Sequence, residues 1–353
     1  MADFASSLSF LTENPVTATF KDSYDAFSRK REELGLSNPG TVDNVSREVQ
    51  KDVLLSNFMF TGLRADLTKI FGSSPLFRIS HAFTMGSQGN LPPYSLSTMF
   101  GSSDLLMQGN LGSDGSLAAL CNYRWNKSLV SKLNVNLMGD SQSILTFDND
   151  YTGKDFSVSI KSFNPSILEG GLTGVFVGNY LQSVTPGLSL GFEALWQRAG
   201  LSSRPETALS YCARYRGSDW VASGQLLAQG ALNASFWKKL SDKVDAGVDM
   251  QLQVAPNPNA MMGGIQREGT TTIGTKYEFR ASTFRAQVDS TGKLSCLLEK
   301  RVALPLSLTF AGEIDQAKHQ AKIGIAASFE LPTPELMELQ ESGQLPEPVT
   351  PPF

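Results

Sequence analysis

The stretch Lys243-Val244-Asp245-Ala246-Gly247-Val248-Asp249-Met250-Gln251-Leu252-Gln253-Val254 alternates without a break: every second residue is apolar, and every residue between is charged, amide or glycine. Successive side chains of a β-strand point to opposite faces, so this run is a strand with one oily face and one wet face. The same division recurs downstream. Thr271, Ile273, Thr275, Tyr277 and Phe279 oppose Thr272, Gly274, Lys276, Glu278 and Arg280, and Ile323, Ile325, Ala327, Phe329 and Leu331 oppose Lys322, Gly324, Ala326, Ser328 and Glu330. Upstream, Leu188, Leu190, Phe192, Ala194 and Trp196 face away from Ser189, Gly191 and Glu193.

Turn chemistry punctuates these runs. Gly101-Ser102-Ser103-Asp104, Ser113-Asp114-Gly115, Tyr151-Thr152-Gly153-Lys154, Arg216-Gly217-Ser218-Asp219 and Ser290-Thr291-Gly292-Lys293 carry the residues that tight connections require. At that spacing the region from 57 to 331 holds about 18 to 20 strands, an array that suits one large closed barrel. Alternation alone does not choose between a membrane barrel and a soluble sandwich. Two uncharged stretches, Gly170 to Phe192 and Trp220 to Trp237, are too rich in polar residues and glycine for membrane helices, and the first contains Pro186-Gly187. Both read as hairpins. A bilayer-crossing strand needs only about 9 to 11 residues. Trp125, Trp196, Trp220 and Trp237 fall near expected strand ends, where an interfacial girdle places aromatic rings.

Outside the alternating region the chain changes character. Residues 1–56 form a helical leader in which Asn14-Pro15 is a helix start, Gly35 a stop, and Val42, Val45, Val49 and Val53 a narrow stripe on a second helix running to Leu55. Residues 332–353 form an acidic, proline-rich tail with a short helix capped by Thr333 and Pro334 and ended by Gly343. The acidity behind the formal net charge of −4 lies in these two ends, since the region between them is slightly basic.

Enzyme chemistry finds little purchase. Only two histidines are present, and Cys121, Cys212 and Cys296 are too widely spaced for a zinc site or a disulfide framework. We therefore expect no catalytic site, no metal and no cofactor. The first eleven residues lack the basic and apolar blocks of a secretory signal, which points to cytosolic synthesis.

The leader, the opening segment Thr61-Gly62-Leu63-Arg64-Ala65-Asp66-Leu67-Thr68-Lys69 and the last alternating run together resemble the channel-forming subunits of the translocase of the outer mitochondrial membrane, of fungal type. The last run also matches the mitochondrial β-signal, with Lys322, Gly324, Ala327 and Phe329 in its polar, glycine and hydrophobic positions. That resemblance implies an all-β transmembrane barrel of about 19 strands, the first and last parallel, with an N-terminal helical segment inside the pore and both termini in the intermembrane space. It implies a protein-conducting channel for precursor import. The implied partners are precursor proteins and their presequences, receptor and small helical subunits of the complex, membrane lipids and further copies of the chain, but no nucleic acid.

Acidic lumen patches that guide basic presequences belong to the same resemblance. Strand parity turns Asp148, Asp150, Glu193, Asp245 and Asp249 to the wet face, on runs where wet-face bases look few, and these five are the candidate presequence-binding acids. Two other readings stand beside this one. A voltage-dependent anion channel shares the barrel and inner helix, but its anionic cargo favours a basic lumen, and here leader and tail are long and acidic. A soluble β-repeat binding protein would show an internal repeat or disulfides, which are not found.

Overall fold

The computed structural model describes residues 31, 34–73, 75–86, 92–138, 143–166, 171–200, 202–256, 265–303 and 305–331. The expected helix from Asn14 falls almost wholly outside them, as does the whole tail. The strands are β1 (Gly62–Ser73), β2 (Leu76–Met85), β3 (Tyr94–Gly101), β4 (Leu105–Gly112), β5 (Leu117–Arg124), β6 (Leu129–Leu137), β7 (Ile144–Thr152), β8 (Phe156–Ser166), β9 (Thr173–Ser183) and β10 (Leu188–Arg198). They continue as β11 (Glu206–Arg216), β12 (Trp220–Leu226), β13 (Ala231–Ser241), β14 (Val244–Pro256), β15 (Ile265–Glu278), β16 (Ser282–Asp289), β17 (Lys293–Ala303), β18 (Leu306–Asp315) and β19 (Gln320–Leu331).

Each strand pairs antiparallel with the next, and β1 pairs with both β2 and β19, so the 19-stranded sheet closes on itself. Closure matters physically. A sheet without edges leaves no ladder N–H or C=O unpaired, the condition for placing strands in hydrocarbon. The closing seam is parallel and in register from Gly62↔Gly324 to Lys69↔Leu331. No helix among the described residues is long and apolar enough to cross a membrane. The two uncharged stretches are the hairpins β9-β10 and β12-β13.

Odd strands run toward one rim, where brief turns such as 102–104, 153–155, 217–219 and 242–243 lead into the even strands. We term this the short-turn rim. Because β19 is parallel to β1, it also ends there. The chain before β1 lies at that rim too: Asn38 Nδ2 donates to the carbonyls of Gly153 and Phe156, both at 2.9 Å, and the Ser183 hydroxyl donates to the Ser37 carbonyl at 2.7 Å. Yet β1 starts at the opposite rim, beside Met85 at the end of β2. Residues 41–61 therefore travel the length of the barrel.

They travel inside it. The segment touches Leu181 of β9 and Cys212 of β11 at one end and Leu297 of β17 and Ala311 of β18 at the other. All four of these wall residues stand on the wet face of the sheet, Leu181 and Cys212 in register with Gly191, Leu297 with Arg285 and Ala311 with Gly324, so the segment lies against the inner wall.

This segment departs from the expected second α-helix. It forms a 3₁₀ turn at Val42–Asn44 and a π-helical turn at Glu48–Val53. The valine stripe still does the packing, with Val42, Val45, Val49 and Val53 exposed by 5%, 0%, 2% and 0%. Burying one such side chain contributes about 1.5 to 3 kcal/mol. The seat is made by two glycines facing each other across β14 and β15, Gly247 and Gly274. A Cβ on Gly274 would stand 2.8 Å from Leu54 Cδ2, and one on Gly247 would stand 3.2 Å from Val49 Cγ1. Any larger residue would lift the segment off the wall.

The outer face is apolar, with Leu63, Leu67, Leu190, Ile273, Phe310 and Ile323 among its exposed side chains. Trp237 corrects the expected girdle. It pairs with Val221 and Gly247 on the lumen face, whereas Trp220 and Phe236 point outward. Its position near a strand end does not reveal its parity, and the bulge between Lys239 and Ser241 hides it further.

Candidate functional site

The wet face of the sheet is the lumen, and every Asp and Glu on the described strands stands at lumen parity. The five candidate acids are among them but do not share one environment. Across β6 to β11, register aligns two lumen rows. One reads Val130, Asp150, Ser159, Asn179, Glu193, Ser210, and the next Lys132, Asp148, Lys161, Val177, Leu195, Ala208.

Bases are therefore not scarce around the first pair. Lys132 Nζ lies 2.8 Å from Asp150 Oδ2, and Lys132 and Lys161 are the register partners of Asp148 on either side. Asp150 is only 8% exposed and Asp249 only 6%. Asp249 Oδ2 accepts from Gln251 Nε2 at 3.2 Å, in the region covered by the inner segment. Asp148, Glu193 and Asp245 are half-buried and keep a face toward the lumen. Asp245 sits between Lys239 and Lys276, its register partners on β13 and β15.

The inner segment is fastened by charge as well as by valines. Glu48 pairs with Arg214, whose Nη1 also donates to the Pro39 carbonyl at 3.2 Å, and Asp43 pairs with Lys161. At the far end the Leu55 amide donates to Gln287 Oε1 at 2.7 Å. The Arg285 guanidinium lies 4.5 Å from the Phe58 ring centre, with its Nε donating to the Asp52 carbonyl at 3.2 Å. Sequence reasoning missed these fastenings, since each joins residues more than a hundred positions apart.

Of the last-strand residues, Lys322 and Gly324 face the lumen and Ala327 and Phe329 face out. Lys322 lies 3.8 Å from Glu313. At Gly324 a Cβ would strike the Phe60 carbonyl and stand 2.9 Å from the Phe60 ring, so the closing seam is built around the absence of a side chain there.

The arrangement is a polar-lined passage with carboxylates and amines around its wall and a chain segment narrowing it. Nineteen strands at about 4.8 Å spacing and about 40° tilt give a barrel roughly 35 to 40 Å across between backbones. Such a bore admits an extended or helical polypeptide beside the inner segment.

The profile of the eukaryotic porin family matches residues 38–324. Mitochondrial import receptor subunit tom40 of Neurospora crassa is 52% identical over 347 residues, covering 98% of each chain. Mitochondrial import receptor subunit TOM40 of Saccharomyces cerevisiae is 44% identical over 343 residues, covering 94% of this chain and 88% of its own. The TOM40 homolog of Homo sapiens is 25% identical over 302 residues, covering 83% and 79%.

Proposed function

From the premise that this chain belongs to the eukaryotic porin family, in its Tom40 group, we infer the role that the barrel plays and the parts that its lumen residues take in it. The protein is the protein-conducting channel through which precursor proteins are imported across the mitochondrial outer membrane, and it is a subunit of the import translocase. The observation that carries this is near-full-length identity to import receptor subunits on a closed barrel wide enough for a polypeptide. Carbonate extraction of membranes followed by single-channel recording tests it. The chain should stay in the membrane and conduct, and a basic presequence peptide should block the current. A conducting chain indifferent to the peptide would favour the metabolite porin reading.

In our reading the short-turn rim, where Asn38 and the end of β19 both lie, faces the intermembrane space, and both chain ends belong to that compartment. Receptor and small helical subunits and further copies of the chain pack on the outer wall. The last strand, through Lys322, Gly324, Ala327 and Phe329, directs assembly of the barrel.

Lumen acids attract basic presequences, and exposure ranks them: Asp148, Glu193 and Asp245 take the larger part, Asp150 and Asp249 the smaller. An exposed carboxylate contributes a few tenths of a kcal/mol at physiological salt, so neutralising the first three to Asn or Gln should weaken presequence block by roughly three- to fivefold. The loss should shrink as salt rises. Asp150→Asn with Asp249→Asn should change block less than twofold, as should Asp219→Asn on a turn. Equal block of the three-site variant and its parent at low salt, measured on single channels, would remove these acids from the guide.

A further inference from the structure

The outer wall carries a charge pattern that import through the lumen does not use. On the described strands every Asp and Glu stands at lumen parity, and the charged residues at outward parity are all basic: Lys69, Arg198, Lys238, Arg267 and Lys300. Three of these five lie close to the short-turn rim, Lys69 near the end of β1, Lys238 near the end of β13 and Lys300 near the end of β17.

Aromatic rings crowd the same rim. Tyr123, Tyr151, Tyr215 and Tyr277 each stand one residue before the end of β5, β7, β11 and β15, all facing out. Lys238 is the outward register partner of Trp220. Trp220 in turn lies 5.1 Å from the Tyr215 ring and 5.8 Å from Phe236. Lys69 Nζ lies 5.2 Å from the Phe71 ring centre.

An aromatic belt marks the depth of the headgroups, and a lysine stem lying along it brings its ammonium to the phosphate level. Apart from those at lumen parity, the acids of this rim stand on the turns beyond the strand ends, where Asp242 pairs with Lys239 and Asp155 with Arg31. The outward lysines therefore meet no acid on the lipid-facing wall and favour a leaflet rich in negative charge. We propose that the outer wall at the short-turn rim holds anionic phospholipid headgroups, with Lys238 beside Trp220 as one such seat and Lys69 and Lys300 as others. The proposal rests on the membrane-barrel reading above. It concerns the lipid, and a partner subunit on the same wall is an alternative outcome of the test.

The full-length chain carrying Trp125→Phe, Trp196→Phe and Trp237→Phe keeps Trp220 as its one tryptophan. Inserted into phosphatidylcholine vesicles with a minor fraction of acyl-brominated lipid, Trp220 should be quenched more strongly by brominated phosphatidylglycerol than by brominated phosphatidylcholine. A lysine near an anionic surface contributes about 1 kcal/mol, so the local preference should be about fivefold. Lys238→Gln should abolish it and Lys238→Arg should retain it, with channel conductance confirming insertion in each case and so separating failure of the barrel from failure of the seat. Inorganic phosphate in the aqueous phase should leave the ratio unchanged. Equal quenching by the two lipids in the parent overturns the proposal without any variant. So does a preference that survives Lys238→Gln, one that phosphate removes, or one that arises only when partner subunits are present.

Discussion

A chain carrying Gly324→Leu is expected to fail to assemble, whereas Ser328→Ala should insert like the parent. The two positions share the lumen face of β19 and differ in what stands over them. At Gly324 even a Cβ meets the carbonyl and ring of Phe60, and the residue pairs across the seam with Gly62, where β1 begins. Gly62 has φ +83°, a conformation that disfavours any readjustment by a side chain. Forcing extra bulk into a packed site costs about 1 to 3 kcal/mol where neighbours give way, and more where backbone blocks the way. Here the blocking atoms belong to the strand start that closes the barrel, so relief comes only by opening the seam, and an open seam exposes two strand edges to hydrocarbon. Ser328 reaches Asp66 at 3.5 Å, a contact of little consequence. Import of radiolabelled chains into isolated mitochondria, followed by native electrophoresis and carbonate extraction, measures assembly. Gly324→Ala should be intermediate. Equal assembly of Gly324→Leu and Ser328→Ala would disconnect this glycine from closure.

What could be read beforehand follows a physical line. Alternation is a property of one strand, so the oily and wet faces of β10, β14, β15 and β19 were legible residue by residue, and so were the hairpins and turn sites. The count of strands came from the family resemblance, because turn spacing gives only a range. Pairing is a property of two strands and their register, which no single run encodes. That is why Asp148 and Asp150 looked free of bases although Lys132 and Lys161 stand on the strands to either side. The same limit hid the seat formed by Gly247 and Gly274, two unremarkable glycines until β14 and β15 face them toward each other. Trp237 went astray for a different reason: amphipathic tryptophan suits an interface, but it also tolerates a wet lumen wall, and only register to Gly247 decides. The valine stripe was legible as a packing face, whereas the π-helical turn that presents it was not. Its geometry follows the wall rather than local propensity.

The inner segment raises the question of whether the barrel needs it, and Val49→Asp with Val53→Asp should show that it does not. Both valines are buried against the glycine seat, at 2% and 0% exposure, and Asp249 lies on the same lumen face of β14. An unpaired carboxylate in such a place costs about 3 to 5 kcal/mol, two side by side cost more, and the nearby Asp249 adds repulsion. Against this stand the Glu48–Arg214 and Asp43–Lys161 pairs and the hydrogen bond from the Leu55 amide to Gln287, each good for about 1 to 3 kcal/mol at most. The segment from 48 to 55 should therefore leave the wall. The strand ladders close without it, since β1 pairs only with β2 and β19, so insertion should continue. A helical segment about 10 Å wide in a bore roughly 35 to 40 Å across between backbones occupies roughly a tenth to a third of the free section once wall side chains are counted. Single-channel conductance should rise by about that fraction, and Leu55→Cys in the same background, with Cys121, Cys212 and Cys296 replaced by Ala, should become reactive to a membrane-impermeant maleimide. An unchanged conductance with the introduced thiol still protected would mean that the seat tolerates the charges. Loss of insertion would instead make the segment part of the fold, a strut around which the last strands find their register before the seam closes.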